Sequence, residues 1–242
     1  MRAPTVAIVI PCYNTSAACA AVVRQALAVT PFVLAVNDGS TDDTGMHLDR
    51  SGARALHLGR NGGKGVALRA GIAEVLKGRD GVLGESFDYL VTLDGDGQHD
   101  PADVPRLIEH ARQTGADLVI GGRNVDLMPP KSKFGNRFSR GMFFAGTGQH
   151  VSDTQSGFRV LSIALAEALL PVVRWKRYET EFDILFRTVA LGFRIATVEI
   201  PTVYFDENRR SHFQPFRDSM RVFGVTCRHV LARALRRWAR PR

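Results

Sequence analysis

The chain has 242 residues, of which 45% are hydrophobic, and it carries a formal net charge of +8 at pH 7. Three cysteines without metal-type spacing exclude a disulfide framework, and no run reaches the ~18–20 apolar residues that span a bilayer. The apolar pattern begins at Val6, so we expect no secretory leader. We expect one large domain, or one domain with an appendage, in the reducing cytoplasm.

The positive charge is concentrated near the C-terminus. Between Arg209 and Arg242 there are ten arginines and a single acid, Asp218. A basic excess of this kind favours a phosphate-bearing partner, which could be a nucleotide, a nucleic acid or an anionic membrane.

The first half of the chain alternates short apolar runs with helical patterns. The predicted strands are 5–10, 32–36, 53–57, 88–93 and 117–121, and the predicted helices are 16–29, 41–51, 64–77 and 101–114. Such alternation predicts an α/β fold with a mostly parallel sheet flanked by helices. Ser40 and Asp43 are expected to cap the second helix, and Asp100 the fourth.

The rhythm changes after residue 122. The stretch "GGRNVDLMPPKSKFGNRFSRG" is polar, basic and contains glycine, which is typical of a mobile loop. Helices are predicted at 162–170 and 179–191, and one or two strands in "FRIATVEIPTVYF".

From Phe213 onward, apolar residues recur every three or four positions between arginines. We therefore divide the chain into a domain at 1–212 and a basic amphipathic C-terminal helix at 213–242. That helix could lie on an anionic membrane surface, or it could pack its apolar stripe on the domain.

The segment "YLVTLDGDGQHDP" leads from a buried strand into a cluster of acids. Residues i and i+2 of an extended segment point to one side, so Asp94 and Asp96 can face one cation, with Gln98 adding a neutral oxygen. Such ligands suit Mg²⁺ or Mn²⁺. The alternative is a turn rich in aspartate and glycine.

Two further segments follow predicted strands, where ligands bind in open α/β sheets. Asp38 could accept hydrogen bonds from a nucleobase or ribose, although a turn with a helix cap explains much of its segment. "LGRNGGKGVALRAG" places glycines and Lys64 before a helix, which is a natural phosphate site. It does not match a P-loop, because Gly65 stands where Ser or Thr is needed.

The last cluster is "SDTQSGFRVL", followed later by "RYETEFD". Polar side chains before an apolar run indicate a substrate loop, or simply a surface loop before a strand. A reaction in which a hydroxyl group attacks requires a general base, and Asp153, Glu179 and Glu181 are candidates.

Taken together and in this order, these segments resemble the inverting GT-A glycosyltransferases of family 2. "IVIPCYNT", "VNDGSTDDT", "NGGKGVALRAGI", "LDGDGQHDP", "GGR" and "DTQSGFR" carry the likeness, over roughly residues 5–215. The polyprenyl-phosphate sugar transferases, of the dolichyl-phosphate mannose synthase type, are the most similar subgroup. One departure is Thr15, which stands where these enzymes usually have Glu, and it leaves the identity of the nucleobase open.

The resemblance implies a role for each matching position. The residues implied on the donor side are Pro11, Tyr13, Asn14, Asp38, Gly39, Lys64 and Asp94. The implied metal ligands are Asp94, Asp96 and Gln98. The implied catalytic residues are Asp96, Arg123 and Glu181. The residues implied on the acceptor side are Ser156, Gly157, Arg159, Arg209 and Arg210.

The implied reaction moves a sugar from a GDP- or UDP-sugar to a polyprenyl phosphate with Mg²⁺ or Mn²⁺, at the inner face of a membrane if the tail binds there. One alternative is a soluble family 2 enzyme with a hydroxyl acceptor on a glycan or small molecule. A nucleotidyltransferase also uses paired acids and a Gly/Lys loop. Nucleic-acid binding is disfavoured, because the arginines lack interleaved base-stacking aromatics.

Overall fold

A computed structural model describes residues 3–125, 128, 130–177, 179–201 and the five positions 223, 224, 226, 227 and 229. Its centre is a seven-stranded sheet with the order β3-β2-β1-β4-β6-β5-β7. The strands are β1 Val6–Cys12, β2 Val33–Asn37, β3 Arg54–His57, β4 Tyr89–Thr92, β5 Leu118–Arg123, β6 Arg159–Ser162 and β7 Ile195–Ile200. The first five predicted strands are therefore confirmed to within about two residues.

The direction of the strands decides where ligands can bind. β1 is parallel to β2 and to β4, and β5 is parallel to β7. β6 runs antiparallel to both β4 and β5, between which it lies. The carboxyl ends of β1, β2, β4 and β5 therefore meet at one edge of the sheet.

Helices cover both faces of this sheet. They are α1 Ala17–Leu27, α2 Thr44–Asp49, α3 Lys64–Leu76, α4 Val104–Thr114, α5 Pro130–Thr147, α6 Ile163–Leu169 and α7 Glu179–Ala190. Alternate residues of β1 enter different cores: Val9 belongs to the core under α3, α6 and α7, and Ile8 to the core under α1 and α4. This period of two is what a sheet covered on both faces requires.

Two sequence-based expectations were wrong. The second half of the stretch predicted as a mobile loop, from Pro130 onward, belongs to an 18-residue helix, α5, which continues to Thr147. The capping of the second helix by Ser40 and Asp43 is not observed: α2 begins at Thr44, and the Thr44 amide donates to the carboxylate of Asp42 instead. Asp100 is confirmed as a cap, since its carboxylate accepts from the Ala102 amide at 2.9 Å.

Most of the predicted C-terminal helix lies outside the described residues. Those that are described within it have helical backbone. Phe223 and Cys227 are exposed, while His229 stacks on Phe186 of α7 with ring centroids 4.7 Å apart. At Phe223 and Cys227 the apolar stripe thus faces away from the domain. None of the helices within the described ranges is long and apolar enough to cross a bilayer.

Candidate active site

The candidate site lies at the carboxyl edge of the sheet. Asp38 directly follows β2, Asp94 and Asp96 follow β4, and Arg123 is the last residue of β5. The glycine-containing loop after β3 closes this edge from one side, because its amides contact Asp38. The segments predicted separately from the sequence are therefore brought together.

Asp38 organises the glycine loop. Its two carboxylate oxygens accept from the amides of Gly62 and Gly63 at 2.9 and 2.8 Å. Burial raises the pKa of Asp38, although these two N–H groups act in the opposite direction. Each oxygen keeps a second lone pair, so the carboxylate can still accept from a nucleoside while it holds the loop.

Gly39 brings the turn after β2 against the same loop. Its φ of 63° lies in the left-handed region, and a Cβ built there would be 2.4 Å from the carbonyl carbon of Arg60. Only glycine fits such a close approach of two backbones without strain.

The turn after β1 is fastened to the turn after β2. The Asn14 amide donates to Ser40 Oγ at 3.1 Å, and its side-chain oxygen accepts from the Thr41 amide at 2.9 Å. Asn14 and Ser16 both have positive φ, at 47° and 45°. Backbone strain of this kind costs about 1–3 kcal/mol per residue and is concentrated at ligand sites.

Pro11 belongs to β1 and, like Tyr13, is partly buried beside these turns. The sequence-predicted donor residues are thus adjacent in space.

Lys64, the first residue of α3, connects two carboxylates that are far apart in the chain. Its ammonium contacts both Asp94 after β4 and Glu181 on α7. Burial alone would raise the pKa of Asp94, but the Lys64 charge outweighs it and holds that pKa below its usual value. Burial also acts to lower the pKa of Lys64, and the two carboxylates reverse the effect and raise it.

Gly157 lies directly against the carboxylate of Asp94. A Cβ at this position would lie 2.4 Å from one Asp94 carboxylate oxygen and 2.6 Å from the other. The Gly157 carbonyl accepts from the buried Thr92 hydroxyl at 2.8 Å. The backbone of "DTQSGFR" therefore touches the acid cluster directly.

Asp96 and Gln98 continue the cluster. The Gln98 amide donates to Asp96 Oδ1 at 3.0 Å. The pKa of Asp96 is raised by burial and, next, by the negative charge of Asp94. Two carboxylates near enough to repel each other are a fitting donor set for a divalent cation, because the cation would remove that repulsion.

Arg123 is paired with a buried acid of the acceptor-side segment. Its guanidinium donates to Asp153 at 2.6 Å from Nε and 3.1 Å from Nη2. Burial opposes ionisation of Asp153, but Arg123 holds its pKa below the usual value. The Arg123 charge also reaches Asp94 and lowers the pKa of that carboxyl.

Arg159 is buried, with 1% of its surface exposed. Its guanidinium donates to the carbonyl oxygens of Glu181 at 2.7 Å, Ser156 at 2.9 Å and Thr154 at 3.2 Å. It is therefore placed to hold the loop 154–156 against α7 rather than at the surface of the cleft. Ser156 is also buried, and its hydroxyl accepts from the Phe158 amide at 3.3 Å.

Some features of the site were not foreseen from the sequence. The ion pair between Lys64 and Glu181 joins residues 117 positions apart, and no local pattern indicates it. His99 is buried beside Phe158, and its pKa is lowered to about 4, chiefly by burial. Arg209 and Arg210 lie outside the described residues.

Within the described ranges there is no group of three or more His, Cys, Asp or Glu side chains that could hold a metal ion by themselves. Asp94 and Asp96 supply two carboxylates only. A cation bound by them would need oxygen atoms from Gln98, from water or from a bound phosphate to complete its coordination.

The sheet order and the acid cluster at its carboxyl edge define a glycosyltransferase with the GT-A fold. The chain belongs to glycosyl transferase family 2, whose family model matches residues 7–168. Family, fold class and enzyme class expected from the sequence are thereby confirmed.

Characterised relatives share most of the chain. An undecaprenyl-phosphate mannosyltransferase of Micrococcus luteus is 35% identical over 189 residues, which is 72% of this chain and 72% of the relative. A polyprenol monophosphomannose synthase of Mycolicibacterium smegmatis is 30% identical over 215 residues, or 81% and 76% of the two chains.

Solved structures share the fold at lower identity. Glucosyl-3-phosphoglycerate synthase from Mycobacterium tuberculosis, in complex with UDP, has a TM-score of 0.71 and 20% identity, covering 94% of this chain and 80% of that chain. The same enzyme with Mn²⁺, UDP and phosphoglyceric acid has a TM-score of 0.67 and 21% identity, covering 99% and 80%.

Proposed function

We propose that this protein transfers a sugar from a nucleoside-diphosphate sugar to a polyprenyl phosphate, with inversion at the anomeric carbon and with a divalent cation. The observation that carries the proposal is the position of Asp94 and Asp96 just after β4, with the ammonium of Lys64 in contact with Asp94. The two lipid-phosphate relatives support the choice of acceptor.

The donor diphosphate would lie against Lys64, whose ammonium contacts the carboxylate of Asp94. Asp94, Asp96 and Gln98 would hold Mg²⁺ or Mn²⁺, which supplies positive charge to the departing diphosphate. Lys64 forms ion pairs with both Asp94 and Glu181. On binding, it is placed to offer a charge-assisted hydrogen bond to phosphate.

The transfer itself forms one bond and breaks one bond. A lipid-phosphate oxygen attacks the anomeric carbon while the bond from that carbon to the diphosphate breaks, and the electron pair leaves with the nucleoside diphosphate. No proton need be removed from the acceptor, because a phosphate monoester is already ionised at neutral pH.

The carboxylates around the acceptor loop agree with such an acceptor. Asp153 is bound to Arg123, which lowers its pKa, and Glu181 is bound to Lys64. With its pKa lowered, Asp153 is a weak proton acceptor. Two of the three candidate bases are thus engaged in ion pairs.

One observation favours the alternative of a hydroxyl acceptor. Glu179 is buried, and its Oε2 atom has no hydrogen-bond partner among the residues that the structure describes. In that case Glu179 would act as the general base. Glu179→Gln separates the two functions: turnover with lipid phosphate should persist, whereas turnover with a hydroxyl acceptor should be lost.

The direct test is release of nucleoside diphosphate from a panel of GDP- and UDP-sugars with Mg²⁺ or Mn²⁺ and a polyprenyl phosphate. Asp96→Asn should lower kcat about 100- to 1,000-fold, because one electrostatic contact in the transition state is lost. Asp100→Asn is the matched control, since asparagine also caps helices. Full activity of Asp96→Asn, or of the wild type in excess chelator, would refute the metal assignment.

A further inference from the structure

The last residues of β2 and β3 lie opposite each other and are joined through their side chains. Asn37 and His57 are partners in the parallel register, and the Asn37 side-chain nitrogen lies 3.1 Å from Nδ1 of His57. The other ring nitrogen, Nε2, lies 3.0 Å from a carboxylate oxygen of Asp49 on α2. A continuous chain of hydrogen bonds thus leads from the surface of α2 to the end of β2.

We propose that His57 is a positioning residue for the nucleotide donor. It acts through Asn37 on the turn 38–40 after β2, and it does so only while its Nδ1 atom carries no proton. The inference rests on the proposed function, because that turn belongs to the part of the site assigned to the donor.

The direction of each hydrogen bond follows from one backbone group. The Ser40 amide lies 3.0 Å from Oδ1 of Asn37 and can only donate, so the Asn37 atom that faces it is the oxygen. The NH₂ group of Asn37 therefore faces His57, and Nδ1 of the ring must accept. The single proton of a neutral ring is then on Nε2, which donates it to Asp49.

Protonation of His57 is incompatible with this arrangement. A proton on Nδ1 would face the NH₂ group of Asn37, so that two donors would meet. If the Asn37 amide turned over to offer its oxygen to the ring, its NH₂ group would meet the Ser40 amide instead. Asp49 cannot relieve the conflict, because Nε2 donates to it in both states of the ring. Since Asn37 is buried, a donor that loses its acceptor here is costly.

The turn that Asn37 holds is the one to which the donor residues belong. Ser40, whose amide Asn37 accepts, also accepts from the Asn14 amide through its hydroxyl at 3.1 Å. Asp38, in the same turn, holds the glycine loop after β3 through its carboxylate. Displacement of the Ser40 amide would therefore disturb both the turn after β1 and the carboxylate of Asp38.

The two ends of this chain of bonds differ in their exposure to water. The His57 side chain is 42% exposed, whereas Asn37 is buried. Protons from solvent can thus reach the ring without opening the core, and histidine is the side chain that ordinarily changes charge between about pH 5 and pH 8. Of the charged side chains that the structure describes, Asp49 contacts the ring; Asn37 of β2 and Gly45 of α2, which also face it, are uncharged.

The test measures the dissociation constants of UDP and GDP for the full chain with Mg²⁺, by calorimetry at about pH 8 and about pH 5.5. Ionisation of the nucleotide is common to all variants, so each variant is compared with the wild type at the same pH. His57→Phe keeps a ring but removes the acceptor, and it should weaken binding about fivefold at the higher pH, as one lost neutral hydrogen bond implies.

His57→Asn is the conservative variant. Its Oδ1 atom stands in the place of Nδ1, can accept from Asn37 and does not titrate. Its affinity should equal that of the wild type at the higher pH and exceed it about fivefold at the lower pH. His47→Asn is the matched control: His47 is a partly exposed histidine on α2 that is bonded to Asp43, and its replacement should leave both values unchanged.

Asn37→Asp reverses the requirement, because its second oxygen accepts from a protonated Nδ1. Relative to the wild type, the ratio of its affinity at the lower pH to that at the higher pH should rise at least about fivefold. A role of His57 that is limited to packing would not change the direction of the pH dependence. An unchanged ratio in Asn37→Asp would overturn the inference.

Nitrogen NMR of the His57 ring supplies an independent readout. A proton on Nε2 of the neutral ring supports the inference, and a proton on Nδ1 overturns it, as does the same pH dependence of nucleotide binding in the wild type and in His57→Asn. A wild type that binds nucleotide with the expected pH dependence but transfers no sugar to any prenyl phosphate would refute the proposed function, while the role of His57 at the donor turn would still stand.

Discussion

Gly157→Ala tests whether the position of Asp94 matters to catalysis. Gly157 has no positive φ, so alanine is tolerated by the backbone, and the three atoms nearest to its new Cβ all belong to the Asp94 carboxylate. The new Cβ would lie 2.4 Å from the nearer oxygen, whereas ordinary contact begins at 3.4 Å, so this oxygen must move by about 1 Å.

A displacement of about 1 Å at a catalytic group can cost about 100-fold in rate. That corresponds to roughly 2.7 kcal/mol in the activation barrier. We therefore expect kcat for nucleoside diphosphate release to fall about 100-fold in Gly157→Ala. The melting temperature should fall by no more than about 2–4 °C, since Asp94 is partly exposed and can rotate away.

The matched control is Gly141→Ala on α5, where no atom lies within 4 Å of the new Cβ. In a detergent assay with a water-soluble acceptor it should leave kcat unchanged and increase stability by about 0.5–1 kcal/mol. Wild-type kcat in Gly157→Ala, with the fold intact by circular dichroism, would refute the reasoning that Asp94 must stay where Gly157 allows it.

Other variants test the donor turn, the buried arginine and the buried ion pair. Gly39→Ala should raise KM for the donor at least about tenfold in steady-state kinetics, because its Cβ would strike the Arg60 backbone; an unchanged KM would contradict the assignment of this turn to the donor. Arg159→Lys should destabilise the protein in urea by about 1–3 kcal/mol for each carbonyl left unpaired, and an unaltered midpoint would show that those bonds contribute little. Asp153→Asn should remove part of the loss of stability at acid pH. Arg123 holds the pKa of Asp153 in the folded protein below the value near 3.9 of the unfolded chain. The ionised carboxylate therefore stabilises the fold fully above pH ~3.9, and this contribution is lost as the pH falls through the folded-state pKa. An identical pH–stability curve in Asp153→Asn would argue against that linkage.

Much of the sheet could be predicted from the sequence because its strands are buried on both faces. β1 and β2 are largely apolar runs that end at turn residues, and this pattern predicts strands of a sheet that is buried on both faces. β6 was harder to predict, since it has only four residues and follows a polar segment. Its antiparallel direction depends on long-range pairing that no local pattern contains.

Helix α5 was missed because its glycines and polar residues resemble a loop. The signal that could have found it is the proline at its first position, followed by Asn136, Ser139 and Phe143 at helical spacing. Asn136 and Ser139 obscured this pattern because they are polar, yet they are buried and form hydrogen bonds with the loop 152–154.

The candidate site, like the fold, was predicted only in part. The acids after β4 and Asp38 after β2 were found, because in a parallel sheet polar residues at strand ends meet at one edge. The partners of those residues were not found: Lys64 binds Glu181, and Arg123 binds Asp153, across long sequence separations. Arg159 could not be recognised as interior from the sequence, since a buried guanidinium is rare unless it is fully paired.

The reversed strand β6 has a consequence for how such enzymes exchange acceptors in evolution. It is hydrogen-bonded to neighbours on both sides, and the segment before it is fastened to the inner side of α5. Residues 130–162 thus form one continuous unit, α5, the loop after it and β6, and its last strand lies between β4 and β5. A chimera that grafts this whole unit from a homologue should inherit the homologue's acceptor preference, whereas exchanging the loop alone would leave its anchors mismatched.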